Sequence, residues 1–442
     1  MKVIFISYEL PPFKSGGVYR SAAFLKYLKE FGITPIVITL SKKSIEKNYP
    51  GFIIKDDFGD NILTHHKVYE VDSTLQFSHS NNIFNFLDYY FHPNGREAKY
   101  WKANFFSTID EVMKNNKPDF IFVTAPPFSI VSLAIKASKK YNLPLILDLR
   151  DAWSNWVVSP YGSIFHYWYK KKTEELALKN AFKIITTSLQ TEADLKSSHP
   201  NINPKKFRYI PNGFEVLTGL WNSANKKEHG KFRIGYVGSF YFDPTSRDAM
   251  LKKWYQKKAH RMLQYVPNLQ DWKYRSPYFF FKSIFNLVAK FPEYRNRISI
   301  EFAGENPQWL IEMVHEFGLS DMFSHYGTIN HKDCLDFQTK MDGMLITSAK
   351  MINGRDYSIA GKTFEYFQNQ KPILAFVCEG AQKDILDKSG MAVVFNPDDA
   401  EASGLMLKNF IDGKITLQPD MNFISQFNRK QLTKKLADVF FE

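Results

Sequence analysis

Val3-Ile-Phe-Ile6, the loop Glu9-Leu-Pro-Pro-Phe-Lys-Ser-Gly-Gly17, an apolar periodicity through Phe24, Leu25 and Leu28, a stop at Gly32, and Ile36-Val-Ile-Thr-Leu40 decide the fold. A β-branched run, a helix and a second β-branched run in quick succession make a parallel βαβ unit, whose crossover is right-handed. Gly32 stands where a helix needs a left-handed residue to end. The same grammar returns at Phe120-Ile-Phe-Val-Thr124, a helix through Ile130, Leu133 and Ala137, and Pro144-Leu-Ile-Leu-Asp148. Lys183–Thr187 and Phe207–Ile210 add two more strands. These runs are apolar without alternation, as strands covered by helices on both faces require. The first half therefore reads as a doubly wound α/β domain.

After Pro211-Asn-Gly213 the chain turns polar from Asn222 to Gly230, a linker by composition. A second α/β domain opens at Arg233-Ile-Gly-Tyr-Val237 and continues through Ile298–Phe302, Gly343–Thr347, Pro372–Val377 and Ala392–Phe395. A last amphipathic helix runs around Phe427 to Phe441. The expected division is a domain over 1–215, a linker over 216–231, a second domain over 232–420, and a terminal helix over 421–442. Two α/β domains facing a cleft bind ligands at the carboxyl ends of their strands.

The chain has 442 residues, 44% hydrophobic and 23% charged, which excludes a disordered chain and calls for more than one domain. Two cysteines, Cys334 and Cys378, supply neither a disulfide framework nor a zinc site. The N-terminus lacks the apolar core and cleavage site of a signal peptide, and no apolar run is long enough to span a membrane. A cytoplasmic protein is expected. Lys and Arg number 58 against 45 Asp and Glu, a net charge of +13, and aromatics make up 16%. That balance suits an anionic partner, or is simply a solvated lysine coat. Its densest stretch, Arg247–Lys282, interleaves cations with Trp254, Tyr255, Trp272 and Phe279–Phe281, as a segment at an anionic membrane surface does. The bland reading packs those aromatics inward.

Four motifs could carry chemistry. Ser15-Gly16-Gly17 opens a helix with glycines that let a backbone approach phosphate, or is a plain turn. Asp148-Leu-Arg150-Asp151-Ala-Trp153 ends an apolar strand. There Asp148, Arg150 and Asp151 face open space, where carboxylates can orient sugar hydroxyls or accept a proton, or Asp and Arg cap the next segment as an ion pair. Gly238-Ser239 follows the first strand of the second domain and offers backbone amides. Gly361-Lys362-Thr-Phe-Glu365-Tyr366 is the most informative. With Ser358 near the N-cap, Lys362 and Glu365 share one face of the first turns, a cation for a diphosphate and a carboxylate for ribose hydroxyls. The plain alternative is a surface salt bridge.

The Pro-Pro and Gly16-Gly17 opening, Asp148-x-Arg150-Asp151-x-Trp153, Ile210-Pro-Asn-Gly213, Tyr236-Val-Gly238-Ser239 and Gly361-Lys362-x-x-Glu365-Tyr366 occur in one order. In that order the chain resembles the glycosyltransferases of family 4 over nearly its whole length. The resemblance implies two Rossmann-like domains of the GT-B type and retaining sugar transfer from a nucleotide-diphosphate sugar, with no metal or other cofactor. It places the donor ribose on Glu365, the diphosphate on Lys362, and Gly16 and Gly17 against donor phosphates and acceptor. The Asp148/Arg150/Asp151 cluster falls at the reacting sugar, and the terminal helix crosses back to the first domain. The family's Glu-x7-Glu pair is broken here, with Tyr357 in the first place. Ser239 stands in for part of a basic pair, which leaves Arg247 or Arg355 as replacements.

A glycan or lipid-linked acceptor, an enzyme peripheral to the inner membrane face, and no nucleic-acid partner complete the expectation. A sugar-nucleotide epimerase of similar fold needs no acceptor, which leaves the aromatic stretches Phe77–Phe106 and Tyr161–Tyr169 without a purpose. A non-catalytic nucleotide-binding scaffold is favoured by Tyr357 and opposed by the intact Lys362/Glu365 pair.

Overall fold

The computed structural model of the protein describes residues 1–53, 60–75, 92, 94–155, 160–218, 221, 230–258 and 261–442. The polar run Asn222–His229, and residues 77–91 of the first aromatic stretch, lie outside the described residues. The chain divides into two compact units, the first built from Met1–Asn212, Leu263–Pro267 and Arg429–Glu442, the second from Gly213–Met262 and Asn268–Asn428.

The first unit is a seven-stranded parallel sheet of β1 (Lys2–Ser7), β2 (Thr34–Leu40), β3 (Lys67–Val71), β4 (Phe120–Ala125), β5 (Leu145–Leu149), β6 (Lys183–Thr186) and β7 (Phe207–Tyr209). Their order is β3-β2-β1-β4-β5-β6-β7. Ile4 pairs with Ile36 on one side and Ile121 on the other, so the first strand of the sequence is central. Both faces of β1 are buried, and its alternation sorts two cores. Ile4 and Ile6 pack with Trp101, Phe105 and Ile109 of helix α1 (Glu97–Asn115). Val3 and Phe5 pack with Phe24 and Leu25, and with Leu432 and Leu436 of the terminal helix (Arg429–Val439). Leu432, Leu436 and Val439 recur at helical spacing on that helix's buried face. The strand β3, with its polar Lys67 and Glu70, is an edge strand that carries no apolar run in the sequence.

The second unit is a six-stranded parallel sheet of β8 (Phe232–Val237), β9 (Ile298–Ala303), β10 (Phe323–His325), β11 (Gly343–Thr347), β12 (Ile373–Phe376) and β13 (Ala392–Phe395), in the order β10-β9-β8-β11-β12-β13. The crossover from β8 to β9 uses helix α2 (Tyr278–Lys290), whose Phe280, Phe281, Ile284 and Leu287 are core residues. The basic aromatic stretch 247–282 therefore divides. Its last residues are interior, while Trp254 and Tyr255 are exposed. No helix among the described residues is long and apolar enough to cross a membrane.

Candidate functional site

In the first unit the strand-end motif is sorted by burial. Asp148, expected to face open space, is 0% exposed. Arg20 donates to both of its oxygens, Nη2 to Oδ1 at 2.8 Å and Nε to Oδ2 at 3.2 Å, and Thr124 Oγ1 donates to Oδ2 at 2.8 Å. Arg20 Nη1 also donates to the Pro211 carbonyl at 2.8 Å. Asp148, the penultimate residue of β5, is thus taken up by these partners as an internal counter-ion. The arginine that meets it comes from the buried face of the helix after the glycine loop, a partner that sequence spacing does not reveal.

Arg150 is the residue of that motif held at the strand-end loop. Its side chain is 8% exposed, its Nη2 donates to the Pro126 carbonyl and lies 3.4 Å from Glu9 Oε2, and Ser15 Oγ donates to the same Glu9 oxygen at 2.7 Å. Arg150 Nε is buried and has no hydrogen-bond acceptor among the described residues. A Cβ added at Gly17 would fall 1.0 Å from Arg150 Nη1, whereas one at Gly16 would meet open space. Gly17 thus makes room for a guanidinium of the protein itself, and Gly16 is the glycine free for close approach. Asp151 is partly exposed, and Trp153 is buried, stacked on Phe128 at 4.9 Å.

In the second unit Lys362 and Glu365 lie in the first turns of helix α3 (Gly361–Gln368). The helix starts at Gly361, after Ala360 rather than beside Ser358, and Ala360 supplies no side-chain cap. Ser358 instead turns back to Asp356, its N–H and Oγ both donating to Asp356 Oδ1 at 3.0 and 2.8 Å. Lys362 Nζ sits 3.7 Å above the Tyr236 ring and 3.2 Å from the place of a Cβ at Gly238. Gly238, at φ +112°, has a backbone that favours glycine, so the approach is open by conformation as well as by size. Burial pushes the Lys362 ammonium down to about 7, and Glu365 opposes the shift. Glu365 spends Oε2 on Gln338 Nε2 at 2.9 Å, and Gln338 in turn accepts from Asn369 Nδ2 at 2.9 Å. The pair is therefore not a surface salt bridge: each member is held by its own surroundings.

The expected replacement cations are otherwise engaged. Arg247 is bound two-pronged to Asp271, at 2.6 and 2.7 Å. Arg355 is exposed and bonded to Glu379 and Asp384. Arg275 is the cation the motif reading missed. Its Nη2 donates to Ser358 Oγ at 3.1 Å and lies 3.8 Å from the buried Asp356 Oδ2. The signal for it was its position inside the basic aromatic stretch, which gives no hint of where the chain returns. Tyr357 is buried, and Ser239 accepts the Tyr236 hydroxyl through its carbonyl at 3.0 Å. A pocket of about 590 Å³ opens at the carboxyl ends of β12 and β13, lined by Gly354, Cys378, Glu379 and Asp398 among others, with Lys362 and Glu365 outside its wall.

The family model described as Glycosyltransferase Family 4 matches residues 15–216. The chain carries a family 4 glycosyltransferase domain. Around this domain the whole fold is that of GT-B glycosyltransferases. Sucrose-phosphate synthase from Thermosynechococcus elongatus is similar at a TM-score of 0.61 and 12% identity, covering 100% of this chain and 98% of that one. The lipopolysaccharide outer core galactosyltransferase WaaB, in its apo form, is similar at 0.59 and 14%, covering 100% and 99%. Anabaena Alr3699/HepE, in complex with UDP-glucose, is similar at 0.57 and 13%, covering 100% and 99%. A UDP-N-acetylglucosamine 2-epimerase shares the fold at 0.52 and 12%, covering 100% and 95%. No curated protein sequence matches the chain.

Proposed function

We propose that this family 4 domain protein transfers a sugar from a nucleotide-diphosphate sugar to a glycan or lipid-linked acceptor, retaining the anomeric configuration and using side-chain cations where other transferases use a metal. The observation that carries the reading is Lys362, an ammonium packed over Tyr236 against Gly238, at a helix start. A cation whose charge is disfavoured by burial gains most when an anion arrives. Breaking the sugar–phosphate bond places negative charge on the departing diphosphate, and preorganised cations and free N–H groups stabilise it best. Lys362 would meet that charge, with Arg275 beside Ser358, and Glu365 would accept from the ribose hydroxyls through the oxygen that Gln338 leaves open. HepE was solved with UDP-glucose, which supports a donor of this class. Retention is the outcome that the family resemblance implies. Both cysteines are free, which is consistent with a reducing, cytoplasmic setting.

The test is a thermal-shift screen against UDP, GDP, ADP and CMP and their sugar conjugates. A ligand at 100 times its dissociation constant stabilises the fold by about 2.7 kcal/mol. A shift with one nucleoside diphosphate, lost in Lys362→Ala, is expected. No shift with any of them would overturn the donor assignment. Turnover that requires no acceptor and returns an epimerised donor would overturn transfer.

A further inference from the structure

Helix α4 (Ile164–Asn180) carries apolar side chains on its inner and on its outer face. Its inner face is locked. Glu174 is buried and accepts from the Ser154 N–H at 3.1 Å, pairs with His199 Nε2 at 2.8 Å, and bonds the Ser154 hydroxyl. Ala177 and Leu178 are buried beside it. With that carboxylate tied inside, the helix cannot roll its other face inward.

The other face is exposed. Ile164 is 42% exposed, Phe165 77%, Trp168 59%, Tyr169 59% and Leu176 51%. At 100° per residue these five fall in one continuous arc over about three turns, not scattered singly as exposed apolar residues usually are. Lys172 and Lys179 lie in the same arc and Lys171 at its edge. The one carboxylate there, Glu175, is already paired with Lys179. Close by, Tyr265 pairs with Tyr161 across a backbone bridge and packs on Tyr167, which places Leu263, 74% exposed, near the start of the helix.

We propose that this outer face of α4 docks the protein on an anionic lipid bilayer. The inference rests on the lipid-linked branch of the proposed function and gives it a surface, which lies on α4 and takes in the Arg247–Lys282 stretch singled out in the sequence only near Leu263. Trp and Tyr belong at the depth of the lipid headgroups, and apolar helix faces flanked by lysine lie in that plane. A second copy of the chain fits less well, because a twofold contact on this face would bring its lysines together.

The test is flotation of the full chain with phosphatidylcholine vesicles, with and without one third phosphatidylglycerol, at about 0.1 M salt, where the Debye length is about 10 Å. Binding only to the anionic vesicles is expected. Phe165→Ser/Trp168→Ser/Tyr169→Ser, all exposed, should lose at least roughly tenfold in partitioning. Lys171→Gln/Lys172→Gln should lose roughly 30-fold, at about fivefold per lysine. A wild-type chain that does not float, or a triple-serine variant that floats equally well, overturns the proposal. So does a wild-type dimer that ignores vesicles and becomes a monomer in the triple variant. The nucleotide thermal shift is measured on the same proteins. Vesicle binding lost in the triple variant, with no nucleotide shift even in the wild type, would sink the donor reading and leave the docking surface standing.

Discussion

Arg150 Nη1 occupies the space that a side chain at Gly17 would need, 1.0 Å from the ideal Cβ position. Gly17→Ala must therefore push the guanidinium away from Glu9 and Pro126. The expected outcome is a clear fall in turnover with a stability loss of about 1–3 kcal/mol, the range for overpacking a filled site. Gly16→Ala, which meets nothing, should be close to wild type in stability. Denaturant unfolding and donor turnover on the two variants decide it. Equal behaviour would mean that Arg150 simply moves aside.

Asp148 and Arg20 form a buried, two-pronged ion pair. Breaking such a pair from one side leaves an uncompensated charge and costs about 3–5 kcal/mol. Asp148→Ala and Arg20→Ala should each lose that much unfolding free energy, read as a lower urea midpoint at unchanged slope. Arg20→Met/Asp148→Leu should lose less than the two single variants together. A stable but inactive Asp148→Ala would return this carboxylate to the reacting centre.

Lys362 links stability to pH with an unusual sign. Its folded pKa of about 7 lies below the unfolded 10.5, so between those values the unfolded chain holds more protons and stability rises with pH. Lys362→Met should therefore be more stable than the wild type without donor, most so below pH 7, with the gap narrowing toward pH 10.5. The same variant should lose turnover by about 10²–10³-fold, the scale of one preorganised electrostatic contact. Wild-type donor binding should take up a proton above pH 7 and weaken as pH rises. Calorimetric titration in buffers of different ionisation enthalpy measures that proton directly, and its absence would show that Lys362 stays clear of the donor.

Glu365 is held at one oxygen by Gln338. Hydrogen bonds to a charged group are worth about 1.5–3 kcal/mol, so Glu365→Gln should weaken donor binding roughly ten- to hundredfold. Gln338→Leu, which releases the carboxylate without removing it, should do so by less. Unchanged nucleotide affinity in Glu365→Gln would contradict the ribose assignment.

Arg275 and Arg247 lie in one basic stretch and separate cleanly. Arg275→Ala should cut turnover by tenfold or more, and Arg275→Lys, which keeps a cation beside the buried Asp356, by less, since the guanidinium lies by Ser358 and Asp356. Arg247→Ala should retain turnover, its charge being absorbed by Asp271. The reverse result would restore the role first read for Arg247.

The sequence by itself determined the two α/β sheets. Strands such as Val3–Ile6 and Ile36–Leu40 are buried on both faces, and that leaves an unbroken apolar run. It also determined the Gly361–Glu365 motif, because a glycine, a cation and a carboxylate at helical spacing are local facts. The polar edge strand Lys67–Val71 escaped it, having no apolar run to show. Only the tertiary structure decided which charges are free. Asp148 is neutralised by Arg20 from 128 residues away, Arg247 by Asp271, and Arg275 is brought beside Ser358 across 83 residues. It alone decided, too, that Phe165, Trp168 and Tyr169 stand outside while Phe280 and Phe281 are inside. An ion pair or a buried face depends on what the rest of the chain places opposite, and neither residue type nor local spacing carries that information.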